Sequence, residues 1–230
     1  GAKLAMITQA TAYKGIRELK EKPKRRRTMT SLDMTRHALK EHIGGLPKDS
    51  TIWKGCRNLD IQLKIWQFLF LSIHQTQKIG EYWRNIPGYE QRGTCGVCRD
   101  EEELMEHILL KCNAQEGPII WGLARGLWPM EHGEWPQLTI GMILGSGSLK
   151  VRPPGNNTGT DQGGRRVNAK SKGASRLLQI LASESAHLIW AIRCLRVIQD
   201  VTLTEEAIRQ RWLNAMNQRL TTDRITAARR

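Results

Sequence analysis

The sequence predicts a mainly α fold: an irregular helical domain organised round one Cys/Cys/His/Cys cluster, followed by a C-terminal helical hairpin. Three observations carry this reading. Apolar residues recur at three- and four-residue intervals through most of the chain. The alternation that marks a half-buried strand is scarce. Cys95, Cys98, His107 and Cys112 fall within eighteen residues of one another.

Residues 3–21 read as a helix, with Leu4, Ile7, Tyr13, Ile16 and Leu19 among polar partners. Pro23 ends it, and Lys20 to Arg27 reads as an exposed basic linker. A short helix is expected from Ser31 to Ile43, with Leu32, Leu39 and Ile43 on one face and Gly44-Gly45 as its stop. Residues 58–79 are the densest apolar segment, and Ile61, Ile65, Phe68, Leu69 and Ile73 recur at helical spacing. This is the expected core helix, with Trp53 and Trp66 nearby and His74 as a satisfied surface or partly buried side chain rather than a ligand. The run from Lys78 to Gly88 turns the chain toward Cys95. After Cys112, Gly117-Pro118 punctuates, and a short helix is expected from Ile119 to Trp128.

The segment 145–173 changes character. Gly-Ser repeats, Pro153-Pro154 and Gly163-Gly164 leave almost no apolar residues, so it reads as a flexible basic linker. Ser175 to Gln199 then gives a long amphipathic helix carrying Leu178, Leu181, Leu188, Ile192 and Leu195. Thr204 caps a second helix, Glu205 and Glu206 favour its positive end, and Ile208, Trp212, Met216 and Leu220 line one face. The organisation is therefore a basic helical segment over 1–50, a helical metal-binding domain over 51–144, a linker over 145–173 and a helical hairpin over 174–230.

The cluster spacing is Cys-x2-Cys-x8-His-x4-Cys. Three thiolates and one imidazole complete the closed tetrahedral shell of a structural zinc site, so one Zn2+ is expected. Gly96 is expected to let the first turn tighten. Asp100 is expected to cap the following helix, with Glu103 as its capping-box partner. A redox Cys pair would need a βαβ setting that the flanks lack. A catalytic zinc would need an open position, which four protein ligands do not leave. Of the five cysteines, Cys56 and Cys194 are left over and read as small buried hydrophobes.

With 40% hydrophobic residues and eight Trp, the chain is composed to fold, and no apolar run reaches membrane-spanning length. No signal peptide opens it, and its start at Gly1 fits a piece of a longer reading frame. The unpaired cysteines point to a reducing compartment, nuclear or cytoplasmic. The formal charge is +14, unevenly spread. Residues 94–145 carry 3 Lys/Arg against 8 Asp/Glu, whereas 1–50 carry 12 against 5 and 146–230 carry 15 against 6. Such a basic balance suits a polyanionic partner, RNA or DNA, against the plainer reading of a solvated surface. Lys24, Arg25, Arg26, Arg27, Arg84, Arg165 and Arg166 are the candidate phosphate contacts. The acidic metal segment is not one: none of the eight residues between Cys98 and His107 is aromatic, and its carboxylates repel phosphate. Zinc would then act indirectly, ordering a scaffold for the basic flanks and for Tyr82, Trp83 and Arg84. Tyr82 or Trp83 could stack on a base, although burial is the expected fate of Trp83. There is no adjacent Asp pair, no Gly-x-Ser-x-Gly and no Gly-x-x-x-x-Gly-Lys, so neither a catalytic site nor a small-molecule substrate is expected.

Cys95-x2-Cys98 followed by Met105-Glu-His-Ile-Leu-Leu-Lys-Cys112 resembles the reverse-transcriptase zinc-binding domain of non-LTR, LINE-type retrotransposon polyproteins. The flanks look like fungal members: Ala12-Tyr-Lys-Gly-Ile16, Ile52-Trp-Lys54, Lys78-Ile-Gly-Glu-Tyr-Trp-Arg84, Glu184-Ser-Ala-His-Leu-Ile-Trp190 with Arg193-Cys194, and Asn217 to Arg224. The resemblance spans nearly the whole chain. It implies that Cys95, Cys98, His107 and Cys112 bind zinc. It also implies that the rest of a reverse-transcriptase polyprotein is a partner, and that the region helps hold RNA or target DNA. A competing expectation is a structural or protein-interaction domain in which zinc only stabilises the fold.

Overall fold

A computed structural model describes residues 7–19, 25–99, 101–151 and 164–228, without the side chains of 41, 164–170, 223 and 226–228. The described residues are mainly helical and contain no strand. The helices are α1 (Gln9–Leu19), α2 (Arg26–Ile43), α3 (Asp49–Cys56), α4 (Leu63–Ile73), α5 (Glu81–Arg84), α6 (Glu116–Gly126), α7 (Ile140–Leu144), α8 (Gly164–Gln199) and α9 (Glu205–Ala228). The metal-site segment lies between α5 and α6.

The apolar spacing of α4 places Ile65, Phe68, Leu69 and Ile73 inside, with Ile61 buried just ahead of the helix. Burying a side chain of this size is worth roughly 1.5–3 kcal/mol. These residues meet Leu178, Leu181, Ala182, Ala186, Ile189 and Ile192 of α8, and one core cluster runs from Leu32 to Met216. α2 shares that core, so residues 26–43 are part of the same packed body as the metal segment. α7 lies tight on α2 because Gly141 and Gly145 have no side chain: a Cβ on Gly141 would stand 2.7 Å from Ala38 Cβ and from Met34 O.

α2 begins at Arg26, five residues before the expected start, and ends where expected, with Gly44 left-handed (φ 78) and its N–H on Lys40 O. A run of Arg is compatible with helix propensity, so the charge run alone does not end a helix. Pro118 does not punctuate either. It sits in the first turn of α6, where a missing N–H costs nothing. α1 forms inside the expected 3–21 but starts only at Gln9; none of its residues is buried, and Tyr13 is 62% exposed.

The expected linker 145–173 is largely structured where it is described. Ser146, Gly147 and Leu149 are buried. Asn58 Nδ2 donates to Gly147 O (3.0 Å), and Gln179 Nε2 to Leu149 O (2.7 Å). Residues 164–173 extend α8. Ser171 Oγ donates to Val151 O (2.7 Å), and Ser175 Oγ accepts from Val151 N–H (2.9 Å). Side-chain hydrogen bonds and a few apolar anchors, Leu149 and Val151, hold this stretch, which is why its composition reads as loop. Residues 152–163 lie outside the described part.

The hairpin forms. Thr204 Oγ1 accepts from Ala207 N–H (3.3 Å), the expected cap. Ile208, Trp212 and Met216 are buried against α8, and Trp212 Nε1 donates to Ser185 Oγ at 3.0 Å. Leu220, expected on the same face, is exposed, and the neighbouring Arg219 is the buried residue there, paired with Asp60 at 3.6 Å. No described helix is long and apolar enough to cross a membrane.

Candidate metal centre

A short hairpin-like turn delivers the first two sulfurs. Glu103 N–H bonds Gly93 O (3.1 Å), Thr94 and Glu102 form an isolated bridge, and Cys95 N–H bonds Glu101 O (2.9 Å). The chain then reverses through Arg99, whose N–H bonds Cys95 O at 2.7 Å and whose φ is +60°. Gly96, expected to permit this turn, is not left-handed and faces open space. Arg99 takes the left-handed conformation instead, at about 1 kcal/mol or more.

The second pair comes from an unusual turn. The helix starts near Met105 and widens at once into a π-turn, His107–Lys111, in which Cys112 N–H bonds His107 O (2.7 Å). In a regular α-helix, residues five apart point about 140° away from each other. The wider i→i+5 turn brings His107 and Cys112 nearly one full turn apart, so both face one point. Ile108 and Leu109 anchor the turn in the core, and Trp121 Nε1 donates to the Leu109 carbonyl at 2.7 Å. The expected capping box is absent: Glu103 lies ahead of the helix and is used elsewhere, and Asp100 lies outside the described residues.

One donor atom from each of Cys95, Cys98, His107 and Cys112 lies within 4.8 Å of the others, the one such group among the described residues. The Sγ–Sγ distances are 3.6 Å for Cys95–Cys112 and 3.9 Å for Cys98–Cys112. A tetrahedral thiolate shell with metal–sulfur bonds of 2.3 Å calls for about 3.8 Å. His107 Nε2 is buried with no hydrogen-bond partner, which a metal would answer. Asn113 N–H points at Cys98 Sγ (3.3 Å), as a thiolate favours. Burial pushes the Cys112 thiol up to about 12, and the adjacent sulfurs add to it. The group can therefore hold one metal ion.

α8 clamps both flanks of the turn. Arg193 forms a two-pronged ion pair with Glu103, Nε to Oε1 at 2.9 Å, with both side chains only 4% exposed. One turn on, Arg196 bonds Glu116 at 2.8 Å. Burial opposes the charge of Arg196, but Glu116, and then the Cys112 and Cys95 thiols, hold its pKa above the ordinary value. Sequence reading missed all four residues in this role. The available signal was two Arg set into the apolar stripe of Ile189 and Ile192. Two further carboxylates of this segment are paired, Glu102 with Arg84 (3.5 Å) and Glu106 with Lys111 (3.0 Å).

The candidate phosphate contacts are not all brought together. Arg25 and Arg26 are exposed at the start of α2. Arg27 is exposed and pairs with Glu81 of α5 at 2.7 Å. Arg84 is exposed on α5. Lys24 lies outside the described residues. Arg165 and Arg166 lie in the first turn of α8, with side chains outside the described part. Cys56 is buried, and burial pushes its thiol up to about 12. Cys194 is half-buried and shifted the same way by burial.

Comparison of the chain with protein-family models, with curated proteins and with solved structures found no match.

Proposed function

We propose that this chain is a zinc-stapled, nucleic-acid-binding accessory module of a retrotransposon-derived reverse-transcriptase polyprotein, with no catalytic site of its own. The observation that carries the reading is the Cys3His group, with sulfur spacings of 3.6 and 3.9 Å and an orphan imidazole nitrogen. Soft thiolates with one imidazole favour zinc over harder cations. Zinc, when bound, would cross-link the Arg99 turn to the π-turn and supply no reactive water. The partner follows from the +14 charge and the exposed Arg25 and Arg26, which suit RNA or DNA phosphates in the nucleus or cytoplasm.

Metal analysis and a binding titration test this. One zinc per chain is expected. If about six phosphates are neutralised, affinity for RNA or DNA falls roughly a thousandfold between about 50 and 200 mM salt. Zinc far below one equivalent, or no binding at low salt, overturns the reading. A second reading, a protein-interaction domain in which zinc only stabilises the fold, is favoured by one observation. The carboxylates of Glu103 and Glu116, beside the ligands, are spent on ion pairs with α8. Zinc at full occupancy with no nucleic-acid binding would select it.

A further inference from the structure

Between α4 and the metal turn, three aromatic rings form one contiguous surface group. Tyr82 and Trp83 have centroids 5.1 Å apart, and Trp83 and Tyr89 5.9 Å. Tyr82 is 41% exposed and Tyr89 45%. Cations lie on their faces: Lys78 Nζ 5.7 Å from the Tyr82 ring, and the Arg92 guanidinium 5.3 Å from Trp83 and 5.0 Å from Tyr89. The group is held from below. Trp83 Nε1 donates to Lys78 O at 2.7 Å. Gly93 lies under Arg84, where a Cβ would stand 2.6 Å from Arg84 Cγ. Gly80, left-handed at φ +51, backs onto the metal turn, where a Cβ would stand 3.1 Å from Glu103 O. Arg27, through Glu81, brings the basic start of α2 to the same helix.

We propose that Tyr82, Trp83 and Tyr89, with Lys78 and Arg92, form a stacking platform for unpaired bases of single-stranded RNA or DNA. This rests on the nucleic-acid reading above and narrows it. Aromatic rings stack on any base because every base has a π-face, and Arg planes do the same. Exposed cations beside the rings meet the phosphates that follow each base. A duplex keeps its bases stacked within itself and offers the platform nothing. The two exposed Tyr rings carry the stacking, and half-buried Trp83 sets their spacing. Tyr89 and Arg92 complete the group, which ties base contact to the order of the metal turn through Gly80 and Gly93.

The test uses the full, metal-loaded chain with short labelled oligo-U, oligo-dT and a duplex of mixed sequence at fixed low salt. The double variant Tyr82→Ala/Tyr89→Ala should lose about 5- to 100-fold in affinity for the single strands per base unstacked. It should keep its duplex affinity, its metal content and its thermal midpoint. Tyr82→Phe/Tyr89→Phe should bind like wild type. Oligo-U against oligo-dT decides which strand is preferred. Unchanged single-strand binding in the Ala variant overturns the platform. So does an equal loss on single strand and duplex. If wild type binds no nucleic acid at low salt, the underlying reading fails as well, whereas wild-type binding without the variant effect sinks the platform alone.

Discussion

Residues 93–116 and helix α1 are tied to the fold in opposite ways. The metal segment buries Ile108 and Leu109 and is pinned besides by backbone bonds at Gly93, Cys95 and His107, four converging donor atoms, and ion pairs on both flanks. α1 has the cleaner amphipathic pattern, with Tyr13, Ile16 and Leu19 at helical spacing, and buries none of them. Periodicity therefore specifies that a helix forms, not that it is held. Holding requires partners, and in the metal segment those are chemical groups at specific spacing.

Four perturbations would break or sharpen this contrast, from largest to smallest. Cys98→Ser removes one of the four donors, and structural zinc sites in small modules carry on the order of 10–16 kcal/mol of apparent binding free energy. It should lose the metal and release hydrogen-exchange protection across 93–116 while α8 stays protected. Retained metal would show that the backbone pins alone suffice. Next, Glu103→Gln leaves Arg193 buried and uncompensated, a loss of about 3–5 kcal/mol in a denaturant titration. The double variant with Arg193→Met should recover most of that. A loss below about 1 kcal/mol would mean the ion pair is not a clamp.

His187 lies between the two extremes, a largely buried polar group packed edge-on to Phe68 at 5.8 Å. Burial, and then Lys64, lower its pKa to about 4. The unfolded chain takes up this proton near pH 6.5, so between about 6.5 and 4 the unfolded state binds more protons. Stability is unaffected above that window and falls as pH drops through it, by up to about 3 kcal/mol. His187→Leu should flatten that part of the pH profile, and an unchanged profile would count against burial as the cause. Smallest of all, Ile16→Ser in α1 should change stability within about 0.5 kcal/mol. A larger loss by thermal melting would mean that α1 is held after all.

The ligand set was legible because coordination chemistry demands close spacing, and four residues within one short stretch supply it. The hairpin was legible from the Thr204 cap and the stripe of Ile208, Trp212 and Met216. Glu103 was misread as a local cap because its partner, Arg193, is ninety residues away, and sequence proximity favours the local explanation. The start of α2 and the first part of α8 were hidden in basic or Gly- and Ser-rich composition, which does not advertise helices held by hydrogen bonds to neighbouring chain. The tightening of the first turn was assigned to Gly96, the permissive residue, whereas the left-handed residue is Arg99.

The π-turn at His107–Lys111 carries a consequence for how the gene tolerates changes in length. A one-codon deletion there would relax the turn to an ordinary α-turn with the His and Cys four apart, still about 40° from alignment on one side. A one-codon duplication would put them six apart and swing the sulfur about 240° round, away from the other donors. Metal content of a Lys111 deletion beside a Lys111 duplication reads this asymmetry, with retention expected in the first and loss in the second. Chain length at this turn is thus expected to tolerate contraction and not expansion.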